Sequence, residues 1–217
     1  MAVDPRFFRL TPSSAYDLAR LVDCEVRGDG QRMVVDVAPM SRAGDGDLTF
    51  LSGEQGRLDM AGLAGAVVVT TADLCASLPA EAVCLISDAP RRDFAAALAV
   101  LTADRKGGWR NQPDADWPGV EIGPGVVAGE DVVIGEGSVI GPGVVIHHGV
   151  RIGRRCRIDP NAVLSHCDLA DDVVVGAGSV IGGSGFGFEV TPDGPVHLPH
   201  VGTCLLYTSP SPRDLST

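Results

Sequence analysis

From Ile122 onward an aliphatic residue recurs every six positions: Ile122, Ala128, Ile134, Ile140, Ile146, Ile152, Ile158 and Leu164, then, after one five-residue unit, Leu169, Val175 and Ile181. Neither a helix of 3.6 residues per turn nor a strand of period two generates that spacing. With the aliphatic residue as position 1, position 2 is glycine at 123, 129, 135, 141, 153, 176 and 182, and is His147, Asp159, Ser165 or Ala170 elsewhere. Position 5 is mostly small or β-branched: Val126, Val132, Ser138, Val144, Val150, Cys156, Ala162, Val174 and Ser179. A short strand that turns a corner every six residues accounts for both positions. Glycine at position 2 is expected to supply the tight or left-handed corner backbone, and small residues fit where walls converge. Three strands then close one triangular coil of about 18 residues, and stacked coils pair their backbones along the axis around a thin interior of position-1 side chains. The spacing predicts a left-handed parallel β-helix of hexapeptide repeats.

The N-terminal part obeys different rules. Ser13 and Ser14 are placed to cap a helix carrying Ala15, Leu18, Ala19 and Val22 on one face. A short strand is expected in "RMVVDV", and "GAVVVT" (65–70) and "AVCLIS" (82–87) are compact β-branched runs of the kind buried strands use. Asp88 and Pro90 then offer start signals for a helix with Phe94, Leu98 and Leu101 on one face. Residues 1–102 therefore read as an α/β domain, 103–119 as a polar Gly- and Pro-rich linker, 120–202 as an incomplete β-helix with a hairpin loop over 183–199, and 203–217 as a tail outside the phase that looks foreign to the rest of the chain.

Composition excludes several function classes. A net charge of −11 argues against a nucleic-acid or anionic-membrane surface. No run approaches the length of a membrane span and the first ten residues lack the apolar stretch of a signal peptide, which points to the cytoplasm. The six cysteines form no CxxC pair and read as reduced, buried small hydrophobes.

Three stretches carry chemical potential. His148 and His166 both fall at position 3, one coil apart, and could ligate a metal as a stacked pair. Zinc needs a third protein ligand, however, and His147, His197 and His200 do not fall in that stack. Arg151, Arg154, Arg155 and Arg157 form the densest basic patch, able to dock an acidic partner or a phosphate, or to lie solvated beside carboxylates. "GGSGFGFEVTPDGPVHLP" (182–199) breaks the repeat, and Pro192-Asp193-Gly194 marks a turn, so a hairpin extruded from the prism is expected. Its glycines are weak evidence for a phosphate cradle, since they follow no strand-to-helix turn. Phe186 and Phe188 could pack a neighbouring subunit or cover a ligand.

These parts in this order resemble the UDP-3-O-acylglucosamine N-acyltransferases of lipid A biosynthesis. The likeness rests on "DPRFF", "DVAPMSRAGDGDLTFLS" (36–52), the hexapeptide array with "LSHC" (164–167), and "GGSGFGFEVTPDGPVHLPHVG" (182–202). It implies transfer of a 3-hydroxyacyl chain from acyl carrier protein to the 2-amino group of a UDP-glucosamine already acylated at O-3. It also implies a homotrimer, a histidine base, and neither metal nor redox cofactor. In that family an aromatic, an asparagine and a tyrosine hold the uracil; Phe50 matches the first, and Gly53 and Gly56 stand at the other two. The family's catalytic histidine lies in coils past "HVG", whereas this chain continues as "TCLLYTSPSPRDLST". His147, His148, His166, His197 and His200 do not match the base motif, so no catalytic residue is assigned. The expectation is a C-terminally truncated, inactive fragment whose last coil is open to association. The alternatives are a non-catalytic β-helical scaffold or binding module and a β-helical zinc enzyme of the carbonic anhydrase type.

Overall fold

The computed structural model describes residues 3–53, 60–111, 117–191 and 194–208. The chain divides into two compact units, Met1–Asp104 with Gly185–Gly202, and Arg105–Ser184 with Thr203–Thr217.

The first unit is built on a five-stranded sheet. In spatial order its strands are Glu25–Arg27, Val83–Ile86, Val67–Thr70, Asp47–Leu51 and Asp36–Val37. The last four run parallel, and Glu25–Arg27 is antiparallel to its neighbour. Helix α1 (Ala15–Leu21) starts at Ser14, whose hydroxyl accepts from the Asp17 amide. A short helix α2 (Ala72–Cys75) is capped the same way by Thr71. Helix α3 (Pro90–Leu101) opens on its proline, which has no N–H to leave unsatisfied, and ends at Thr102, whose hydroxyl donates to the Leu98 carbonyl. It lays Phe94, Leu98 and Leu101 onto the sheet, each buried side chain contributing roughly 1.5–3 kcal/mol. Of the sequence runs expected to be strands at 65–70 and 82–87, the first is the central strand of this sheet and the second its neighbour.

The second unit is the left-handed β-helix. One wall stacks Glu121–Ile122, Val139–Ile140, Arg157–Ile158 and Val174–Val175; a second stacks Val127–Gly129, Val145–Ile146, Val163–Leu164 and Val180–Ile181; the third stacks Val133–Ile134, Arg151–Ile152, Cys167–Leu169 and Cys204–Leu206. Neighbouring coils pair in parallel, with Ile122 on Ile140 and Ile140 on Ile158. Past the five-residue unit at 164–168 the register shortens by one, giving Ile158 on Val175 and Leu164 on Ile181. Ile140, Ile146, Ile158 and Leu164 are fully buried in the interior. Cys204–Leu206, which has no place in the sequence phase, pairs alongside Cys167–Leu169.

Two details of the repeat differ from the sequence reading. The left-handed corner is at position 4, occupied by Gly125, Asp131, Gly137, Gly143, Gly149, Arg155, Asn161, Asp172 and Gly178, all at positive φ. Position 2 is glycine for another reason: a Cβ on Gly129 would come 2.3 Å from the His148 nitrogen, and one on Gly153 2.5 Å from the Ala170 carbonyl carbon. At Gly123, Gly129, Gly135, Gly141 and Gly153 the next coil's backbone comes too close for a side chain, whereas Gly176 has no atom nearer than 3.8 Å to its would-be Cβ and Gly182 is itself at φ +68. Val174 also does not occupy the inward corner. The five-residue unit moves that role to Val173, which is buried, and turns Val174 outward with 66% of its surface exposed.

Candidate functional site

The site begins at Phe50. Side chains alternate along a strand, so Leu48 and Phe50 share the face covered by α3, while Leu51 packs on the opposite face with Ala43, Leu63, Ala66 and Val68. The Phe50 ring meets Phe94 with centroids 4.9 Å apart and planes tilted by 41°. Phe50 is only half-buried. Both rings line a cavity of about 380 Å³, large enough for a small heterocycle with part of its substituent. Its other walls are Thr49 beside Phe50, Val37, Ala38, Pro39 and Met40, which leave the carboxyl end of the edge strand, Leu98 of α3, and Leu198, Pro199 and Val201. In open parallel sheets the carboxyl ends of strands are where ligands dock, because loops diverge there and leave a crevice. Apolar walls with an aromatic pair favour a flat ring over a charged group.

Of the three residues singled out for uracil, the structure brings Phe50 to this cavity. Gly53 is exposed, with open space where a Cβ would stand, and is absent from the cavity wall. Gly56 lies outside the described residues. Phe94, Leu198, Pro199 and Val201 were not singled out. Phe94 reads simply as part of a helix face, and a ring four residues past the Asp-Ala-Pro helix start carries no signal of what faces it.

The extruded hairpin is present as Phe188–Thr191 paired antiparallel with Gly194–His197, within the first unit. Its glycines serve a packing role: a Cβ on Gly185 would fall 1.9 Å from the His200 ring and one on Gly187 3.0 Å from it. His197 Nε2 also lies 3.1 Å from the Gly185 carbonyl. The glycine run is thus the floor on which two imidazoles rest. Phe186 stands 96% exposed, edge-on to Phe188.

In the second unit, two arginines of the basic patch, Arg154 and Arg155, are paired with carboxylates of the next coil. Arg154 reaches Asp171 through Nε at 3.0 Å and Nη2 at 2.9 Å, while its amide donates to the same carboxylate at 2.8 Å. Arg155 grips Asp172 with two bonds of 2.7 Å, and Arg157 pairs with Asp159 at 2.8 Å. The amide of Arg154, then its guanidinium, holds Asp171 below the usual carboxylate range, and Arg155 does the same for Asp172. Arg154 and Arg155 with Asp171 and Asp172 form a coil-to-coil ionic ladder. Among the described residues, no group of three or more His, Cys, Asp or Glu is placed to hold a metal ion. His166 donates through Nδ1 to the Gly182 carbonyl at 3.3 Å, and His147 meets Trp109 edge-on at 4.9 Å. Among the described residues no helix is long and apolar enough to cross a membrane.

Residues 31–100, which carry both Phe50 and Phe94, match the family model of UDP-3-O-(3-hydroxymyristoyl) glucosamine N-acyltransferase. Residues 118–148 and 149–183 match the bacterial transferase hexapeptide model of six repeats. A protein of Caulobacter sp. (strain K31) named UDP-3-O-acylglucosamine N-acyltransferase is 41% identical over 209 residues, which is 94% of this chain. Its namesake in Caulobacter vibrioides (strain NA1000 / CB15N) is 38% identical over 213 residues. The chain is a relative of the UDP-3-O-acylglucosamine N-acyltransferases. It spans 62% of the length of each of these two N-acyltransferases. The segment matching the N-acyltransferase model ends at the C-terminal part of α3, so the model covers two walls of the cavity. The third wall, Leu198 to Val201, lies past both matches.

Proposed function

We propose that this chain forms the nucleotide-binding domain and part of the scaffold of an N-acyltransferase. The enzyme moves a 3-hydroxyacyl chain from acyl carrier protein to the 2-amino group of UDP-3-O-acyl-glucosamine, in the cytoplasm, for lipid A. The observation that carries this reading is the half-buried Phe50 ring on the wall of an apolar cavity at the carboxyl edge of the sheet. Phe50 presents the face on which uracil stacks. With Gly53 on the next turn of chain supplying no side chain, stacking and shape carry more of the base recognition than in relatives with a polar residue there.

In the reaction the amine nitrogen attacks the thioester carbonyl, the carbon–sulfur bond breaks, a base takes the proton from nitrogen, and the carrier thiol leaves protonated. His147 is edge-on to Trp109, His166 is bound to Gly182, and His197 and His200 are packed on the glycine run. The base is assigned to none of them. A homotrimer is supported by one wall of the prism, where Val127, Val145, Val163 and Val180 stand in register as an outward apolar column suited to a neighbouring prism.

Calorimetric titration of the 217-residue chain with UDP tests the reading. Binding is expected, and Phe50→Leu, which keeps bulk but removes the π face, should weaken it by about 5- to 100-fold, the range that one base–aromatic stack contributes. Failure of UDP to bind, or unchanged binding by Phe50→Leu, overturns the proposal.

A further inference from the structure

Helix α3 carries Arg91, Phe94 and Leu98 at i, i+3 and i+7, one stripe on one face. Phe94 and Leu98 line the cavity. Arg91, one turn toward the helix start, extends its guanidinium to Glu189, with Nε 3.3 Å from Oε2. Glu189 sits in the first strand of the hairpin, directly opposite Val196 of the second. That second strand runs straight into Leu198, whose amide continues the ladder by donating to the Gly187 carbonyl at 2.8 Å. Leu198, Pro199 and Val201 are the third wall of the cavity. The ion pair therefore joins the helix that bears one wall to the hairpin that bears another. At the opposite end, the arm's root is held by His197 and His200 on Gly185 and Gly187.

We infer that the Arg91–Glu189 pair is a latch that sets how tightly the Leu198–Val201 wall closes on the occupant of the Phe50–Phe94 cavity. Arg91 and Glu189 are positioning residues, touching no substrate, and the inference rests on the reading that this cavity takes the nucleotide base. Half of the latch is exposed: the side chains retain 46% and 35% of their surface. Pairs of this kind are worth little each, so the latch tunes affinity and does not create it. Closing the wall also removes water from the cavity, which strengthens stacking on the rings. Both components are lost together when the hairpin lifts.

The test uses the full 217-residue chain with Arg91→Gln, Glu189→Gln, the double exchange Arg91→Glu with Glu189→Arg, and Arg27→Gln as a control at a remote surface pair. The latch predicts that each single variant binds UDP about two- to five-fold more weakly. It also predicts faster hydrogen exchange at the Leu198 amide, with both readouts returning toward wild type in the double exchange and the control unchanged. The gap between the wild type and each single variant should close at 0.5 M salt, because screening weakens the pair that only the wild type has. Exchange at Leu198 is read without ligand, so the mechanical half is tested on its own. Unaltered Leu198 exchange in the single variants overturns the latch. If UDP binds the wild type and Phe50→Leu weakens it, but the latch variants bind as wild type, the latch falls and the base site stands. If UDP fails to bind the wild type, both fall.

Discussion

The two classes of glycine in the β-helix have different physical causes, and a pair of substitutions separates them. Alanine at Gly153 places its Cβ 2.5 Å from the Ala170 carbonyl carbon, 2.6 Å from the Asp171 nitrogen and 2.7 Å from the Ala170 oxygen, all backbone atoms. Ordinary carbon contacts begin near 3.5 Å, so the coils must part locally by about 1 Å. The Gly153 amide donates to the Leu169 carbonyl at 2.8 Å. A displacement of that size carries the bond past the range where it counts. Overpacking of this kind costs about 1–3 kcal/mol and the weakened hydrogen bond about 0.5–1.5, so Gly153→Ala is expected to lose about 1.5–4.5 kcal/mol. Gly125 differs. It sits at φ +74 with no atom nearer than 3.8 Å to its would-be Cβ, so alanine meets only the left-handed backbone penalty, about 1–2 kcal/mol. Gly125→Asn should lose less, since Asn161 and Asp131 already hold the equivalent corner. Both tryptophans of the chain, Trp109 and Trp117, lie in the second unit, with the Trp117 indole donating to the Val132 carbonyl at 3.2 Å. Tryptophan emission during urea unfolding therefore reports that unit alone. If Gly153→Ala proves no more costly than Gly125→Ala, close approach of coils is not what position 2 requires.

The remaining predictions concern titration. The folded-state values of Asp171 and Asp172 are depressed by their arginine partners. Their contribution is therefore present above the unfolded carboxylate value near 4 and is lost as pH falls through the folded values. Urea midpoints between pH 2 and 6 should fall more steeply for the wild type than for Asp171→Asn with Asp172→Asn, and parallel curves would refute the ladder. Burial pushes the Cys24 thiol up to about 11, with Asp93 adding to it, and the Cys84 thiol up to about 12. Because these folded values are raised, their contribution is full below the unfolded value near 8.5 and declines as pH rises from there through 11. Both thiols should react with iodoacetamide at pH 8 far more slowly than in urea, as read by peptide mass spectrometry. Labelling of Cys24 in the folded chain at the unfolded rate would contradict its burial.

The β-helix was legible because its constraint is periodic. An inward aliphatic residue at every sixth position is required by geometry alone, and the phase slip at Leu164–Leu169 appears in the pairing of Ile152 on Leu169. The corner assignment was not legible in the same way. Glycine at position 2 and glycine, asparagine or aspartate at position 4 both signal unusual backbone, and only the second set shares a left-handed φ. The kind of substitute at position 4 held the clue: Asp131, Asn161 and Asp172 are residues that tolerate the left-handed conformation, whereas the exceptions at position 2, His147, Asp159, Ser165 and Ala170, share no such preference. Position 2 looked like a corner because it was the more uniformly glycine of the two.

The cavity shows where a single sequence stops informing. Phe50 was legible through its neighbourhood, "DLTF", and Phe94 through its helical face, but their contact joins a strand and a helix 44 positions apart and follows from no period. The third wall is less accessible still, since the chain passes through the entire prism repeat between Leu98 and Leu198 before supplying it. An interruption of a strict repeat tells a reader that the inserted residues are free of the prism's packing rules; it does not say what they pack against. Here the inserted arm carries an acidic residue opposite an arginine, Glu189 and Arg91, and three apolar residues, Leu198, Pro199 and Val201, that share a cavity with Phe94 and Leu98. That matching of charge to charge and apolar to apolar surface explains why the arm folds as part of the first unit, and makes the helix it rests on the element through which changes in the arm reach Phe50.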